Sequence, residues 1–471
     1  MVTLSGADLA IIGVYFAIVV AIGVRTKRRS GDAAEYLLAG RSLTVPLFVM
    51  TLVSTWYGGI LGVGEFSWRY GISNWFIQGV PYYVFAALFA FFLAPKVRAT
   101  NLVTIPDKLL QVYGRKTALL GAFLTFLLTT PAPYVLMLAV LLQLVTGWSL
   151  VLCLVAGTVV TTGYLVLGGF RADVNTDVVE FILMFAGFGV ILPFAGARLG
   201  GAEFLSSHLP PLHLTWHGGN SPQFIIVWFF IALWTLVDPS FHQRCYAARS
   251  GAVARKGILI SILFWFVFDA MTAIAGLYAR AALPVLDQPV MAYPLLAEAV
   301  LPPFAKGLFY VGMLATIMST LNTLAFVSAT TFGRDVLWRL QGSNDDQTGD
   351  RLTRWGLLLT GLLSILLCVT IPSVIRLWYT IGTVVIPGLL VPLVAGYTTR
   401  WRVSPAYAFM AMLLGWGTSL LWLGAGWSQS FGSADAYPFG TEPMFPGIFI
   451  SVVVWGVGLM RRGAPPPADG G

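Results

Sequence analysis

Thirteen apolar stretches, most about as long as a helix that crosses a lipid bilayer, recur along this 471-residue chain. They fall near residues 7–24, 43–66, 74–94, 116–146, 149–168, 177–197, 222–243, 257–279, 307–333, 355–375, 379–398, 404–426 and 444–460. Lipid offers no partner to a bare peptide group, so only helices or a closed barrel can answer such a sequence. The runs are continuous rather than alternating, which selects helices. Composition agrees. Residues are 57% hydrophobic and 10% charged, whereas a soluble domain carries about 25% charged residues. The expected fold class is an all-α polytopic membrane protein with about thirteen transmembrane helices.

The net charge of +8 has a topological reading. With the N-terminus outside, 23 of the 28 lysines and arginines fall on the inner side. Arg69, Arg198, Arg280, Lys306 and Arg376 fall outside. This is the positive-inside pattern. It implies a multi-pass protein of the cell membrane, N-terminus out and C-terminus cytoplasmic, and it accounts for the basic balance without nucleic acid. The first run has no A-x-A-like cleavage site, so it is expected to be retained. Cys153, Cys245 and Cys368 fall in or beside different runs, which implies neither a disulfide framework nor a CxxC site. In the loop 198–221, His208, His213 and His217 match no standard zinc spacing and are expected to be solvated. No appended soluble domain is expected. The stretch "QGSNDDQTGD" reads as a short solvated link, and residues 463–471 read as a disordered tail.

Two runs are interrupted at corresponding places. "STWYGGILGVGE" holds four glycines between Gly58 and Gly64, and "WTLVDPSFHQR" places Asp238-Pro239 in mid-span. Clustered glycine weakens a helix, and proline removes one of its donors. Breaks five spans apart suggest two five-helix repeats, 43–197 and 222–398, of opposite topology. They would be preceded by one extra helix (7–24) and followed by two (404–460). Inverted-repeat transporters bind substrate and ions at such unwound centres.

"LATIMSTLNT" (314–323) adds a polar stripe to an apolar run. Thr316, Ser319, Thr320 and Thr323 stand at i, i+3, i+4 and i+7, one helix face, with Asn322 beside them. Taken singly, such hydroxyls back-bond to their own helix. Together with carbonyls freed at a break, they offer the oxygens a hard cation takes. Asp238, deep in a span, is costly and so a functional residue by default. It could also cap the half-helix that follows it. Asp269 and Glu65 are weaker candidates. Trp56 and Tyr57 sit at the first break, where they could stack on or gate a solute.

Three motifs give the chain a likeness to a known family: "GGFRADVNTDVVEF" (168–181), "QRCYAARSGAVARKG" (243–257) and "ATIMSTLNTLAFVSATTFGRD" (315–335). They resemble the inner-loop signature, the basic loop after the second broken helix, and the sodium-site helix of the sodium:solute symporters. That family contains bacterial proline, pantothenate, sialic acid and galactose carriers. The resemblance implies a LeuT-like fold, a 5+5 inverted repeat whose first and sixth core helices are broken. It implies a main sodium site at the carbonyls of Leu52, Thr55 and Thr316 and the hydroxyls of Ser319 and Thr320. Thr316 stands where many relatives have alanine. A second sodium in some relatives implies Asp177 with Ser319, Asn322 and Thr323, Asn322 replacing a usual serine; Asp177 could instead pair with Arg171. For solute, the resemblance brings forward Gly59, Gln78, Asp238, Trp265 and Tyr379, besides Trp56 and Tyr57. The basic residue that some relatives carry at the Trp265 position is absent. The resulting expectation is sodium-coupled symport of a small organic solute by alternating access. One or two Na+ would serve as coupling ions, with no organic cofactor, and a monomer would suffice. The alternatives are proton coupling through Asp238 or Asp177, and a sensor that binds solute without moving it. No HExxH or nucleophile–base pair supports an enzyme.

Overall fold

The computed structural model describes residues 2–26, 37–341, 346–426 and 437–461. The expected tail at 463–471 and residues 342–345 of the expected link lie outside them. Helix α1 (Gly6–Arg25) begins with a capping box in which Ser5 and Asp8 bond reciprocally. The first interrupted run is a bent pair, α2 (Val45–Trp56) and α3 (Ile60–Tyr70), at 58°. Helix α4 (Trp75–Ala99) follows, widened by π turns at Trp75–Gly79 and Phe89–Leu93. A short α5 (Ile105–Tyr113) leads to α6 (Arg115–Leu128) and α7 (Ala132–Thr146). The expected spans 149–168 and 177–197 form one path, α8 (Leu150–Leu199), which turns at Gly169, where φ 60° and ψ −165° suit only glycine.

The second interrupted run divides into three: α9 (Pro222–Ile231), α10 (Trp234–Val237) and α11 (Pro239–Ala247). Then come α12 (Gly251–Ala282), α13 (Ala292–Val300) and α14 (Ala305–Thr330), the last prolonged through a π turn to Trp338. Helices α15 (Asp346–Thr370), α16 (Val374–Gly396), α17 (Pro405–Gly426) and α18 (Met444–Met460) complete the chain. Among the described residues, nine helices are long and apolar enough to cross a membrane, and the bent pair adds a tenth. Three further expected spans coincide with shorter apolar helices, Leu150–Val159, Trp355–Thr370 and Met444–Met460.

Helix α14 is the axis of the molecule. All of its residues except Leu308 are buried. It can lie so deep because its neighbour comes close: a Cβ on Gly187 of α8 would sit 2.9 Å from the Gly312 Cα. Small residues let membrane helices meet backbone to backbone. Asp8 adds a clamp, its Oδ1 accepting the N–H of Phe304 at 2.9 Å and of Gly307 at 2.7 Å. The hydroxyl stripe therefore faces protein rather than lipid.

One loop histidine departs from expectation. His213 is buried, with Nε2 3.0 Å from the Trp68 carbonyl, because the loop folds back under the end of α3; His208 is exposed. Glu442, just ahead of α18, is buried too, and burial pushes its carboxyl up to about 7. A raised carboxyl favours the protonated folded protein. Its contribution is therefore intact below the ordinary value of 4.5 and is lost as pH rises toward 7. Paired thermal melts should show the parent losing stability relative to Glu442→Gln between about pH 5 and 7.5. Parallel profiles would contradict this.

Candidate ion and solute site

The site forms where the two broken runs meet α14. Helix α2 stops at Trp56 because Tyr57, Gly58 and Gly59 follow, and its last carbonyls lose their helical donors. One of these, the Thr55 carbonyl, accepts the Thr320 hydroxyl. Gly58 permits the approach: a Cβ there would lie 2.0 Å from Thr320 Oγ1. Thr55 Oγ1 lies 3.4 Å from Ser319 Oγ and 3.3 Å from Thr323 Oγ1. Leu52, wholly buried, is one turn back. The Thr316 hydroxyl donates to the Gly312 carbonyl at 2.6 Å, so it is engaged in its own helix. That fits a backbone role for Thr316 and not a side-chain one. The expected sodium-site residues Thr55, Ser319 and Thr320 are thus brought together as an oxygen-rich cradle.

Arg244 changes the reading of the adjoining region. Counted with a basic inner loop, it instead stands inside α11, fully buried. Its Nη2 donates to Thr51 Oγ1 (2.8 Å), Thr323 Oγ1 (3.2 Å) and Asp177 Oδ2 (3.3 Å), and also to Thr55 Oγ1. Asp173 Oδ2 lies 3.9 Å away. The pairing of Asp177 with Arg171 is thereby corrected, since Arg171 donates to the Ala39 carbonyl at 3.0 Å. The cause is topological. The extended break at Asp238 starts α11, which packs against α2 and carries Arg244 to Thr51 and Thr55, while Arg171 lies against Ala39, ahead of α2. Ser319 does reach Asp177, donating to Oδ1 at 2.5 Å, but Thr323 donates to Asp173 Oδ2 at 2.6 Å. Asn322 is fully buried, and neither amide atom finds a hydrogen-bond partner among the described residues.

Asp173 and Glu180 went unnoticed in the sequence. With Asp177 they stand at i, i+4 and i+7, on one face of α8. Glu180 Oε1 accepts from Tyr15 at 3.0 Å. Three carboxylates on one stripe of a membrane helix were themselves the available signal, because buried acids demand cations or protons.

Beside the cradle opens a cavity of about 1070 Å³, counting its mouth. Trp56, Tyr57, Gly59, Gln78, Asp238 and Trp265 line it, as do Thr55 and Thr320. Tyr379 does not line it. The preceding residue, Trp378, does, and a Cβ on Gly59 would lie 2.2 Å from its ring. Consecutive residues on a helix point about 100° apart, so a one-residue offset moves the ring out of the site. Asp238 is in extended conformation and caps α11, its Oδ1 accepting the Ser240 N–H at 2.7 Å and hydroxyl at 2.6 Å. Capping and lining are combined in this one residue. Asp269, a weaker candidate in the sequence, also lines the cavity and accepts the Tyr83 hydroxyl. Glu65 instead pairs with Arg69 at 3.1 Å.

A model of the sodium:solute symporter family matches residues 36–415 of the chain. The sodium/pantothenate symporter of Haemophilus influenzae is 29% identical over 348 residues, 69% of this chain and 71% of that protein. The sodium/pantothenate symporter of Escherichia coli K12 is 25% identical over 483 residues, 94% of each. Among solved structures, the substrate-bound outward-open state of a Na+-coupled sialic acid symporter is similar, with a TM-score of 0.78 at 15% identity. The match covers 98% of both chains and shows a shared LeuT-like fold.

Proposed function

The chain belongs to the sodium:solute symporter family, and from that premise we propose that it carries a small organic solute into the cell together with Na+ by alternating access. The observation that supports coupling most directly is a shared wall. Thr55 and Thr320 belong both to the oxygen cradle and to the large cavity. A cation held by Leu52, Thr55, Thr316, Ser319 and Thr320 would fix the helix break that shapes the solute cavity. Such a ligand shifts the transport equilibrium by its differential affinity for the two states.

The Arg244 guanidinium already puts a positive charge against Asp177, Thr51, Thr55 and Thr323. This favours one sodium per cycle over a second ion at Asp177, Asn322 and Thr323. One charge crossing 100 mV releases about 2.3 kcal/mol. A tenfold sodium gradient adds about 1.4 kcal/mol. The sum sustains roughly a 500-fold gradient of a neutral solute.

The route inward is blocked at two levels. A second cavity of about 360 Å³ lies beyond Pro239, the one residue that lines both cavities. Below it, Arg334 contacts Asp107 (3.2 Å) and Asp335 (2.8 Å), and Arg339 contacts the same two carboxylates. Burial pushes the Asp107 carboxyl up, but the two guanidiniums prevail and hold it below its ordinary value. These pairs must part for release to the cytoplasm. In this reading the protein lies in the cell membrane with its N-terminus outside, repeats 43–197 and 222–398 rock against each other, and a monomer suffices.

The test is a pair of melting curves in sodium and potassium chloride, followed by uptake into proteoliposomes with a metabolite panel. Sodium alone should stabilise the protein, and one solute class should stabilise it further only with sodium. Uptake that persists without sodium and collapses with the pH gradient would instead establish the proton-coupled alternative.

A further inference from the structure

The lining of the large cavity has a chemical bias that narrows its cargo. Nine of its 24 lining residues are tryptophan or tyrosine, and two, Asp238 and Asp269, are carboxylates. None is lysine, arginine or histidine. Each carboxylate is met by uncharged donors: Ser240 bonds Asp238, and Tyr83 bonds Asp269. Arg244 lies one layer behind, its Nη1 3.4 Å from the Ser240 carbonyl, and its charge is met by Asp177 and Asp173.

An anionic solute in such a chamber would face two acids and no cationic side chain in the lining. A polyol could bond Asn74, Gln78 and the tyrosine hydroxyls, but it would leave both carboxylates without a charge partner. A cation meets the opposite situation. It supplies the charge that the two carboxylates lack, and the electron-rich faces of indole and phenol rings attract it. Five of the rings are tryptophan, the strongest partner for a cation. They close on one another: Trp56 lies 5.7 Å from Trp265 and 4.9 Å from Tyr82, ring centre to ring centre.

We infer that the solute is an organic cation, an amine or quaternary ammonium compound, held by the cavity carboxylates and indole faces. The inference rests on the reading that this cavity is the solute site. It separates the cargo of this chain from carboxylate-bearing and sugar solutes, and it makes each cycle carry two positive charges inward.

The experiment uses the full chain in lipid nanodiscs with sodium chloride. Three probes of one shape are titrated by thermal shift: choline, its neutral isostere 3,3-dimethylbutan-1-ol, and the anionic 3,3-dimethylbutanoate. Glucose serves as a polyol. The expected result is a half-maximal concentration for choline at least about ten-fold below that of the neutral isostere, with the anion weakest. Asp238→Asn, which can still cap α11, and Asp269→Asn should each erase most of that preference, bringing the half-maximal concentration for choline toward that of the neutral isostere. No response to choline, equal responses to the three isosteres, or tighter binding of the anion or of glucose would overturn the inference. The two readings fail separately. Preference for the cation without any dependence on sodium would overturn coupling alone. A sodium-dependent preference for the anion or for glucose would overturn the cargo assignment alone.

Discussion

Protein carrying Ser319→Ala and Thr320→Ala together should melt at the same temperature in sodium chloride as in potassium chloride. The parent should not. A ligand at a hundred times its dissociation constant stabilises the state it binds by about 2.7 kcal/mol, and the double variant should lose all of that difference. The two hydroxyls are chosen for their positions. Ser319 Oγ lies between Thr55 Oγ1 and Asp177, and Thr320 reaches the Thr55 carbonyl at the helix break. Their removal also leaves buried acceptors without donors, each costing about 1–3 kcal/mol, so the variant should be less stable in both salts. The measurement is therefore the difference between salts, read by thermal shift, with sodium-driven uptake falling to its level without a gradient. An undiminished sodium response would move the ion elsewhere.

The second large effect concerns Arg244. Its guanidinium is the one cation within bonding reach of the buried pair Asp173 and Asp177 among the described residues. Breaking a buried pair by removing one partner costs about 3–5 kcal/mol, because the charge left behind has no water to turn to. Arg244→Met should therefore lower the thermal midpoint sharply and reduce the yield of monodisperse protein. Adding Asp173→Asn and Asp177→Asn should restore most of the loss, since the charges that needed the guanidinium are then gone. Arg244→Lys should fall between, as an ammonium cannot span Thr51, Thr55 and Asp177 with a planar fork. If Arg244→Met alone matches the parent, the charge cluster is not what holds these helices together.

Helices and breaks were legible in the sequence because they depend on local chemistry. An apolar run without charges has one way to satisfy its peptide groups in lipid, and Gly58-Gly59 and Asp238-Pro239 interrupt it for reasons internal to each segment. The hydroxyl stripe was legible because Thr316, Ser319, Thr320 and Thr323 follow the helical period. Positions that depend on how one helix meets another were not. Arg244 reads as the start of a basic loop, and only the packing of α11 against α2 and α8 shows it buried. Tyr379 and Trp378 differ by one step in sequence and by about 100° in direction. Asp269 gains its meaning from Tyr83, 186 residues away.

The crowd of rings around the cavity also makes the protein its own optical probe. Five of its sixteen tryptophans, Trp56, Trp228, Trp234, Trp265 and Trp378, border that one chamber. Their ultraviolet emission will shift or quench when cargo displaces water from them, so occupancy can be followed in unlabelled protein on the timescale of a single turnover.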